Sequence, residues 1–108
     1  MSYELNKSAN NKFFFNLKSG NGQTILNSEM YESKASALSG INSVQTNCIN
    51  ADRYTKNTSS NGKHYFTLKA GNHQIIGNSQ MYESSNSCDD GIKSVMSNGI
   101  STTIKDNT

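Results

Sequence analysis

Hydrophobic and polar residues alternate in two stretches of the chain that lie far apart. In residues 12–18, written KFFFNLK, Phe13, Phe15 and Leu17 would point to one side of an extended backbone. Residues 63–69, written KHYFTLK, repeat the alternation with Phe66 and Leu68. Strict alternation is typical of a β-strand with one buried face. The pattern therefore predicts two equivalent strands.

Each of these strands has an extended neighbour on either side. Residues 3–7 and 53–57 come before them, and residues 23–27 and 74–78 follow them. The first hairpin turn contains Asn21-Gly22, a strong hairpin signal. The second turn has His73 in place of Gly22, so a different turn geometry is open to it. Each half of the chain thus predicts three antiparallel strands.

A seven-residue motif occurs in both halves, as NSEMYES at residues 27–33 and as NSQMYES at residues 78–84. After it, the spacing of apolar residues changes to that of a helix. We interpret the motif as the joint between strand and helix. Ser33 and Ser84 stand where an N-cap is expected, and Met30 and Tyr31 are expected to pack under the helix start. The predicted buried faces are Ala37, Ile41, Val44 and Cys48 in one helix and Cys88, Ile92, Val95 and Gly99 in the other.

Both predicted helices keep an internal glycine, Gly40 and Gly91. A glycine inside a helix costs about 1 kcal/mol relative to alanine. Its presence in both copies predicts that each helix lies so close to the sheet that a Cβ atom would clash.

The two halves align without gaps at a period of about fifty residues, which indicates an internal duplication. The tails of the halves, residues 49–53 and 100–104, are predicted to be short β segments that cross to the other unit. We therefore predict an α+β fold with two tandem β-β-β-α-β units, residues 1–51 and 52–108. The units would share one antiparallel sheet with two helices on one face and exchange their C-terminal strands, as a single compact domain and a monomer.

Several phrases carry a resemblance to a known family. They are LKSGNGQTIL at residues 17–26, LKAGN at 68–72, HQIIG at 73–77, SQMY at 79–82 and KDNT at 105–108. The chain resembles the YegP-like family of small bacterial tandem-repeat proteins over nearly its whole length. The resemblance implies three strands, a helix and a strand per unit, with the last strands swapped. It implies that single-unit relatives dimerise, and it brings no activity, substrate or site.

Composition narrows the classes of function. The formal net charge is only +2, whereas nucleic-acid-binding domains usually carry a denser basic patch. Asn and Ser make up nearly a third of the chain, which predicts a thin core under much polar surface. No apolar run approaches the ~20 residues that span a bilayer, and residues 1–5 do not resemble a signal peptide. We expect a cytoplasmic protein without a membrane partner, with Cys48 and Cys88 as free thiols.

Catalytic or cofactor chemistry is not indicated, so we expect no enzyme, no cofactor and no metal. His64 and His73 are the only histidines, and they are predicted on a strand and on a turn tip rather than converging on Cys88. Asp89 and Asp90 are adjacent, so their side chains diverge on a helix. Gly20-Asn21-Gly22 lacks the lysine that follows in a phosphate-binding loop.

The outer strand face offers the main candidate site. Phe14 and Tyr65 are predicted to point away from the core, between lysines on the same face. Aromatic side chains among cations on an open sheet are typical of single-stranded nucleic-acid binding, and cross-strand packing under lysine stems would give the same pattern. We therefore predict a binding or accessory module, with weak nucleic-acid binding or strand addition of a protein partner at a sheet edge as alternatives. The candidate residues are Lys12, Phe14, Lys18, Lys63, Tyr65 and Lys69.

Overall fold

A computed structural model describes residues 2–108 and contains seven strands and two helices. A single 3-10 turn, Ala51–Arg53, leads into the fourth strand. The elements are β1 (Ser2–Lys7), β2 (Phe13–Lys18), β3 (Thr24–Ser28), α1 (Lys34–Asn47), β4 (Tyr54–Thr58), β5 (His64–Lys69), β6 (Ile75–Asn78), α2 (Ser85–Asn98) and β7 (Ile104–Asp106).

All seven strands lie in one sheet, in the order β4-β5-β6-β3-β2-β1-β7. The units meet where β3 pairs antiparallel with β6, and Asn27 lies opposite Asn78. Strands β1 to β6 therefore have the same order in each half of the sheet, counted outward from an approximate two-fold axis between β3 and β6. This confirms the predicted α+β class, with two duplicated units and one shared sheet.

Two details of the predicted sheet are wrong. β7 pairs with β1 in parallel, so the sheet is mixed rather than wholly antiparallel. Only the tail of the second unit crosses to the other unit as a strand. Residues 49–53 form no strand, because Asn50 caps the turn with its side chain and the chain enters β4 at once. In the second tail the strand begins only at Ile104.

One hydrophobic core extends across both units, on the face of the sheet that the helices cover. Phe15 and Leu17 in β2 are fully buried, as are their counterparts Phe66 and Leu68 in β5. The alternation read from the sequence therefore identifies the core face correctly. The neighbouring residues of each strand lie on the opposite face, which no helix covers.

Two tyrosines, the buried Tyr3 and the half-buried Tyr54, join the units at the helix ends. The Tyr3 hydroxyl on β1 donates a hydrogen bond to the Gly99 carbonyl oxygen at the end of α2, at 2.6 Å. The Tyr54 hydroxyl on β4 donates to the Cys48 carbonyl oxygen at the end of α1, also at 2.6 Å. Each bond satisfies a helix-terminal carbonyl that has no partner within its own helix. The first strand of each unit therefore caps the helix of the other.

The repeated motif NSEMYES is the joint between strand and helix, as predicted. The Ser33 side chain accepts a hydrogen bond from the Ser36 backbone N–H, and Ser84 does the same for Ser87. Tyr31 packs beneath α1 with its ring stacked on Phe15 at 6.2 Å between centroids. The prediction for Met30 is wrong, because its side chain is 59% exposed.

The glycines of the helices mark the closest approach to the sheet. A Cβ atom on Gly40 would overlap the Tyr31 hydroxyl and lie 2.9 Å from Cε2 of Phe15. A Cβ atom on Gly91 would overlap the equivalent Tyr82 hydroxyl. The predicted reason for both glycines is confirmed, and the atoms they avoid belong to the tyrosine of the repeated motif and to a core phenylalanine of the sheet.

Equivalent positions near the two-fold axis hold one large and one small residue. Gly99 is the counterpart of Cys48, and a Cβ atom on it would lie 2.7 Å from the Cys48 sulfur. Gly77 is the counterpart of Leu26, and its Cβ atom would lie 2.6 Å from the Asn27 carbonyl oxygen and 3.2 Å from Cγ of Leu26. The axis therefore requires the two repeats to differ.

The second hairpin keeps the geometry of the first despite the lost glycine. His73 adopts a φ of 69°, close to the 83° of Gly22. The turns share their hydrogen bonds, from Gly22 to Ser19 and from His73 to Ala70. A left-handed backbone is strained for a residue with a Cβ atom, so the second turn tolerates a strain that the first avoids.

Gly40→Ala should lower stability although alanine is the better helix former. The added methyl group would displace the Tyr31 ring from its position over Phe15 and press on the buried Phe15 ring, and such overpacking costs about 1–3 kcal/mol. Urea unfolding at pH 7 measures the change. Gly20→Ala is the control, because its Cβ atom would meet nothing within 4 Å; an equal loss in both variants would contradict the account.

Gly99→Ala should be destabilising by about 1–3 kcal/mol, because its methyl group needs the volume of the Cys48 side chain. In a Cys48→Gly background the loss should be smaller but not absent, because the added Cβ atom would still lie 2.8 Å from the Val95 carbonyl oxygen. A double-mutant cycle from urea unfolding measures this coupling. Additive losses would show that the two positions do not compete for space.

Stability should fall at alkaline pH because of Tyr3 and Tyr54. Burial raises the pKa of both phenols above the ordinary value, so the unfolded chain releases their protons first. Their contribution is complete below the unfolded pKa of about 10 and is lost as pH rises above it. Urea unfolding at several pH values should show a shallower loss in Tyr3→Phe/Tyr54→Phe, although that variant is less stable at pH 7. An unchanged slope would contradict this assignment.

Candidate functional site

The open face of the sheet, the face opposite the two helices, carries a row of hydrogen-bonded polar side chains across six strands. The strands supply them at alternate positions, so all stand on the side away from the core. We call this row the amide ladder. Its members are Asn6 on β1, Asn16 on β2, Asn27 on β3, Asn78 on β6, Thr67 on β5 and Asn57 on β4, with Asn107 next to β7.

The ladder in the first unit consists of three consecutive amide–amide hydrogen bonds. Asn107 Nδ2 donates to Asn6 Oδ1 at 3.0 Å, and Asn6 Nδ2 donates to Asn16 Oδ1 at 2.9 Å. Asn16 Nδ2 then donates to Asn27 Oδ1 at 2.7 Å. Every bond has its donor on the outer side, so the chain of amides runs toward the centre of the sheet.

The ladder in the second unit runs to the centre from the other edge. Asn57 Nδ2 donates to the Thr67 hydroxyl at 3.2 Å, and that hydroxyl donates to Asn78 Oδ1 at 3.1 Å. Asn78 Nδ2 in turn lies 3.4 Å from Glu29 Oε2. The two halves meet at the axis, where Asn27 and Asn78 are directly opposite each other.

Backbone carbonyl groups fix the direction of both halves. Asn6 Nδ2 also approaches the Glu4 carbonyl oxygen, and Asn57 Nδ2 approaches the Thr55 carbonyl oxygen, both at 3.3 Å. A carbonyl oxygen can only accept, so the amide nitrogens must face it. The amides of Asn16, Asn27 and Asn78 must then turn their oxygens outward and their N–H groups inward, and the Thr67 hydroxyl must accept from Asn57 and donate to Asn78.

Phe14 and Tyr65 lie on the face away from the core, as predicted, and there they flank the ladder. Phe14 lies opposite Asn6, and Tyr65 lies opposite Asn57. Both side chains are half-buried. Two flat aromatic side chains thus stand at equivalent distances along the two halves of the face, each beside an amide.

Two of the four predicted lysines form ion pairs on this face. Lys12 contacts Glu32, and Lys63 contacts Glu83 in the second unit. Lys63 lowers the pKa of the Glu83 carboxyl. Lys18 donates to the Thr24 hydroxyl at 2.5 Å, and within residues 2–108 neither Lys18 nor Lys69 pairs with a carboxylate. The face is therefore less basic than the sequence alone indicates.

The other candidate chemistry does not assemble into a site. Cys88 is buried in α2, and burial raises the pKa of its thiol, which disfavours the reactive thiolate. Asp89 forms an ion pair with Lys56 at 2.7 Å. In the part of the chain that the structure describes, no three His, Cys, Asp or Glu side chains are grouped to hold a metal ion.

Two open grooves cross the boundary between the units, each between the helix of one unit and the second hairpin of the other. The larger has a volume of about 710 Å³ and is lined by Ser36, Ser39 and Ser43 of α1 and by Glu29 and His73. The smaller, of about 420 Å³, is its counterpart beside α2. Among residues 2–108, no hydrogen bond joins the His73 side chain to a groove serine, so no nucleophile–base pair forms there.

The edge of the sheet at β4 is protected. Lys56 points to the helix side, where it contacts Ser85 and Asp89 of α2. An inward-pointing charge is one of the devices by which natural edge strands resist strand addition. β7 covers the equivalent edge at β1.

The amide ladder was missed by sequence reasoning, although a signal was present. Asparagine is depleted in strands, yet Asn6, Asn16, Asn27, Asn57 and Asn78 all fall within predicted strands. They occupy the positions that alternate with the core residues. Asparagine repeated on the outer face of several strands indicates side chains that bond to one another, because each amide both donates and accepts.

A helix long and apolar enough to cross a membrane does not occur in the described part of the chain.

Comparison with known proteins gives matches over almost the whole chain. The family model described as a domain of unknown function (DUF1508) matches residues 8–54 and again residues 59–106. The chain is 60% identical over 106 residues to the UPF0339 protein YegP of Shigella flexneri, covering 98% of this chain and 96% of the relative. It is 60% identical over 104 residues to a UPF0339 protein of Shewanella oneidensis, covering 96% and 94%.

Two solution NMR structures share the fold. The Escherichia coli protein yegP, described as of unknown function, superposes with a TM-score of 0.94 at 59% identity, covering 98% of this chain and 91% of that one. The Shewanella oneidensis UPF0339 protein superposes with a TM-score of 0.91 at 60% identity, covering 96% and 88%. These matches confirm the resemblance and the duplication, and the chain belongs to the YegP-like UPF0339 family, as a tandem pair of DUF1508 repeats.

Proposed function

We propose that this protein is a non-enzymatic, monomeric module of the cytoplasm that binds single-stranded nucleic acid weakly on its open sheet face. The observation that carries the proposal is the amide ladder with its flanking aromatic side chains. Single-stranded bases present a flat surface for stacking and polar edges for hydrogen bonding. Phe14 and Tyr65 offer the stacking surfaces, and the ladder offers polar groups between them.

The charge of the face supports base contacts more than phosphate contacts. Lys12 and Lys63 already have carboxylate partners, so Lys18 and Lys69 remain for phosphates. Stacking of one base on an aromatic side chain contributes about 1–3 kcal/mol. Two such contacts with two phosphate contacts are consistent with weak binding that depends little on salt.

Strand addition of a protein partner is less well supported. At the β4 edge, the inward-pointing Lys56 with its partner Asp89 disfavours pairing with an added strand. At the other edge, β7 is already paired with β1. The exposed strand β7 itself offers only three residues. The open face is therefore the better candidate surface.

Titration with single-stranded RNA and DNA octamers, followed by two-dimensional NMR, should shift signals of the open face. The largest shifts are expected at Phe14, Tyr65 and the ladder amides. Because two phosphates are neutralised, the logarithm of the binding constant should fall with the logarithm of salt concentration with a slope of about −1.4.

Lys18→Gln/Lys69→Gln should bring the salt slope close to zero while shifts at Phe14 and Tyr65 persist. Lys93→Gln removes an exposed charge from α2 on the opposite side and should leave the slope unchanged. Unshifted spectra with both octamers at low salt, or shifts confined to the helices, would overturn the proposed function.

A further inference from the structure

The aromatic side chains of the open face and its two unpaired lysines lie at the corners of a rectangle. Four register partners form one row straight across β2, β3, β6 and β5, namely Asn16, Asn27, Asn78 and Thr67. On β2, Phe14 lies two residues before this row and Lys18 two residues after it; on β5, Tyr65 and Lys69 do the same. Three antiparallel pairings separate β2 from β5, so these two strands run in opposite directions. Phe14 and Tyr65 are therefore the ends of one diagonal, and Lys18 and Lys69 are the ends of the other.

Sheet geometry gives the length of the aromatic diagonal. β2 and β5 are three strand spacings apart, which is about 14 Å at about 4.8 Å per spacing. Phe14 and Tyr65 lie two residues from the row on opposite sides, which adds about 13 Å along the strands at about 3.3 Å per residue. The two aromatic residues are thus about 20 Å apart, and the approximate two-fold axis passes between them.

The middle of the aromatic diagonal offers polar contacts. The line from Phe14 to Tyr65 crosses the amide ladder where Asn27 and Asn78 are paired. Lys18 and Lys69 stand on either side of this line, so a nucleic-acid strand lying along it has a cation on each side of its backbone. The Glu29 carboxylate, 3.4 Å from Asn78 Nδ2, places one negative charge beside the path, which is consistent with weak binding.

The length of the diagonal decides which bases of one strand can reach both rings. A stacked strand advances about 3.4 Å per nucleotide, and a fully extended one advances about twice as far. Neighbouring bases therefore cannot stack on Phe14 and Tyr65 at the same time. Three extended steps cover about 20 Å, which is the separation of the first base from the fourth.

We infer that one extended strand crosses the open face along the Phe14–Tyr65 diagonal, with bases three positions apart stacked on the two rings. This inference rests on the proposed function and adds the path of the ligand and its shortest length, four nucleotides. Two separate ligands, one on each ring, would require no fixed spacing of bases. A single strand gains affinity because its second contact forms within one complex.

The test uses DNA hexamers that carry two thymine bases and four abasic sites, so that length and charge are constant. The two bases are adjacent in one hexamer and three positions apart in the other. Binding to the full chain is measured by NMR titration at low salt, with a hexamer of six thymines as the reference. The spaced hexamer should bind at least five-fold more tightly than the adjacent one, the low end of what stacking of one base contributes.

Phe14→Thr removes one end of the diagonal and keeps a residue type that suits a strand. In this variant the affinity ratio of the two hexamers should fall below two-fold. Phe13→His is the matched control, because Phe13 packs against the core on the helix side and the equivalent position of the second repeat already holds His64. The control should keep the full ratio.

The outcomes separate the inference from the proposed function. Equal binding of the two hexamers, tighter binding of the adjacent one, or a spaced hexamer that fails to bind while six thymines bind would overturn the inference and leave open-face binding intact. A ratio that survives in Phe14→Thr, or that is lost in Phe13→His as well, would also overturn it. No binding of the six-thymine hexamer would overturn both. A ratio of at least five that is lost only in Phe14→Thr supports both.

Discussion

The packing where the two units meet, at the pairing of β3 with β6, is limited by steric exclusion: two side chains cannot occupy the same volume. The duplicated units meet across a two-fold axis, so equivalent residues near the axis compete for one space. Cys48 fills the space that a side chain on Gly99 would need, and the Asn27 backbone carbonyl, with Leu26 beside it, leaves no room for one on Gly77. The chain resolves the competition by making the two copies unequal, and dense packing of the shared core follows from it.

The same boundary explains why the units depend on each other. Tyr3 and Tyr54 reach across it and hold the helix ends of the opposite unit. Each of these tyrosine hydroxyls donates to a helix of the other unit and not to the helix of its own unit. A loss of contact at the axis would therefore remove core packing and helix capping at once, and we expect the halves to unfold together, as small domains usually do.

Much of the fold could be predicted because it follows from local patterns. Alternation identified Phe15, Leu17, Phe66 and Leu68 as core residues, and Ser33 and Ser84 stood out as caps. The tails were predicted alike although they differ, since residues 49–53 contain Asn50 and Asp52, which favour turns, and residues 100–104 are rich in β-branched side chains. Their different structures follow from position in the fold: the first tail must lead directly into β4, whereas the second is free to lie beside β1. His73 likewise could not be predicted from local preference. The hairpin holds it in a left-handed backbone conformation that a residue with a Cβ atom does not favour.

Some features of the candidate site could be predicted from the sequence, and others depend on the fold. The placement of Phe14 and Tyr65 on the open face followed from alternation, and their lysine neighbours were visible in the sequence. The ion pairs of Lys12 and Lys63 depend on where the chain places Glu32 and Glu83, which only the fold determines. The amide ladder depends on cross-strand register, and a shift of one residue in any strand would move that strand's member to the core face.

The pairing of β1 with β7 joins the first strand of the sequence to the last, which delays completion of this sheet edge during synthesis. Tyr3 donates its backbone N–H to Thr103, and Asn107 donates to Leu5, so the partners in this pair are separated by almost the whole described chain. On the ribosome, β1 emerges early and remains without its outer neighbour until Asp106 has been added. The nascent chain therefore carries an unpaired sheet edge at β1 while the residues between β1 and β7 are made, and that edge is completed only after β7 has been synthesised.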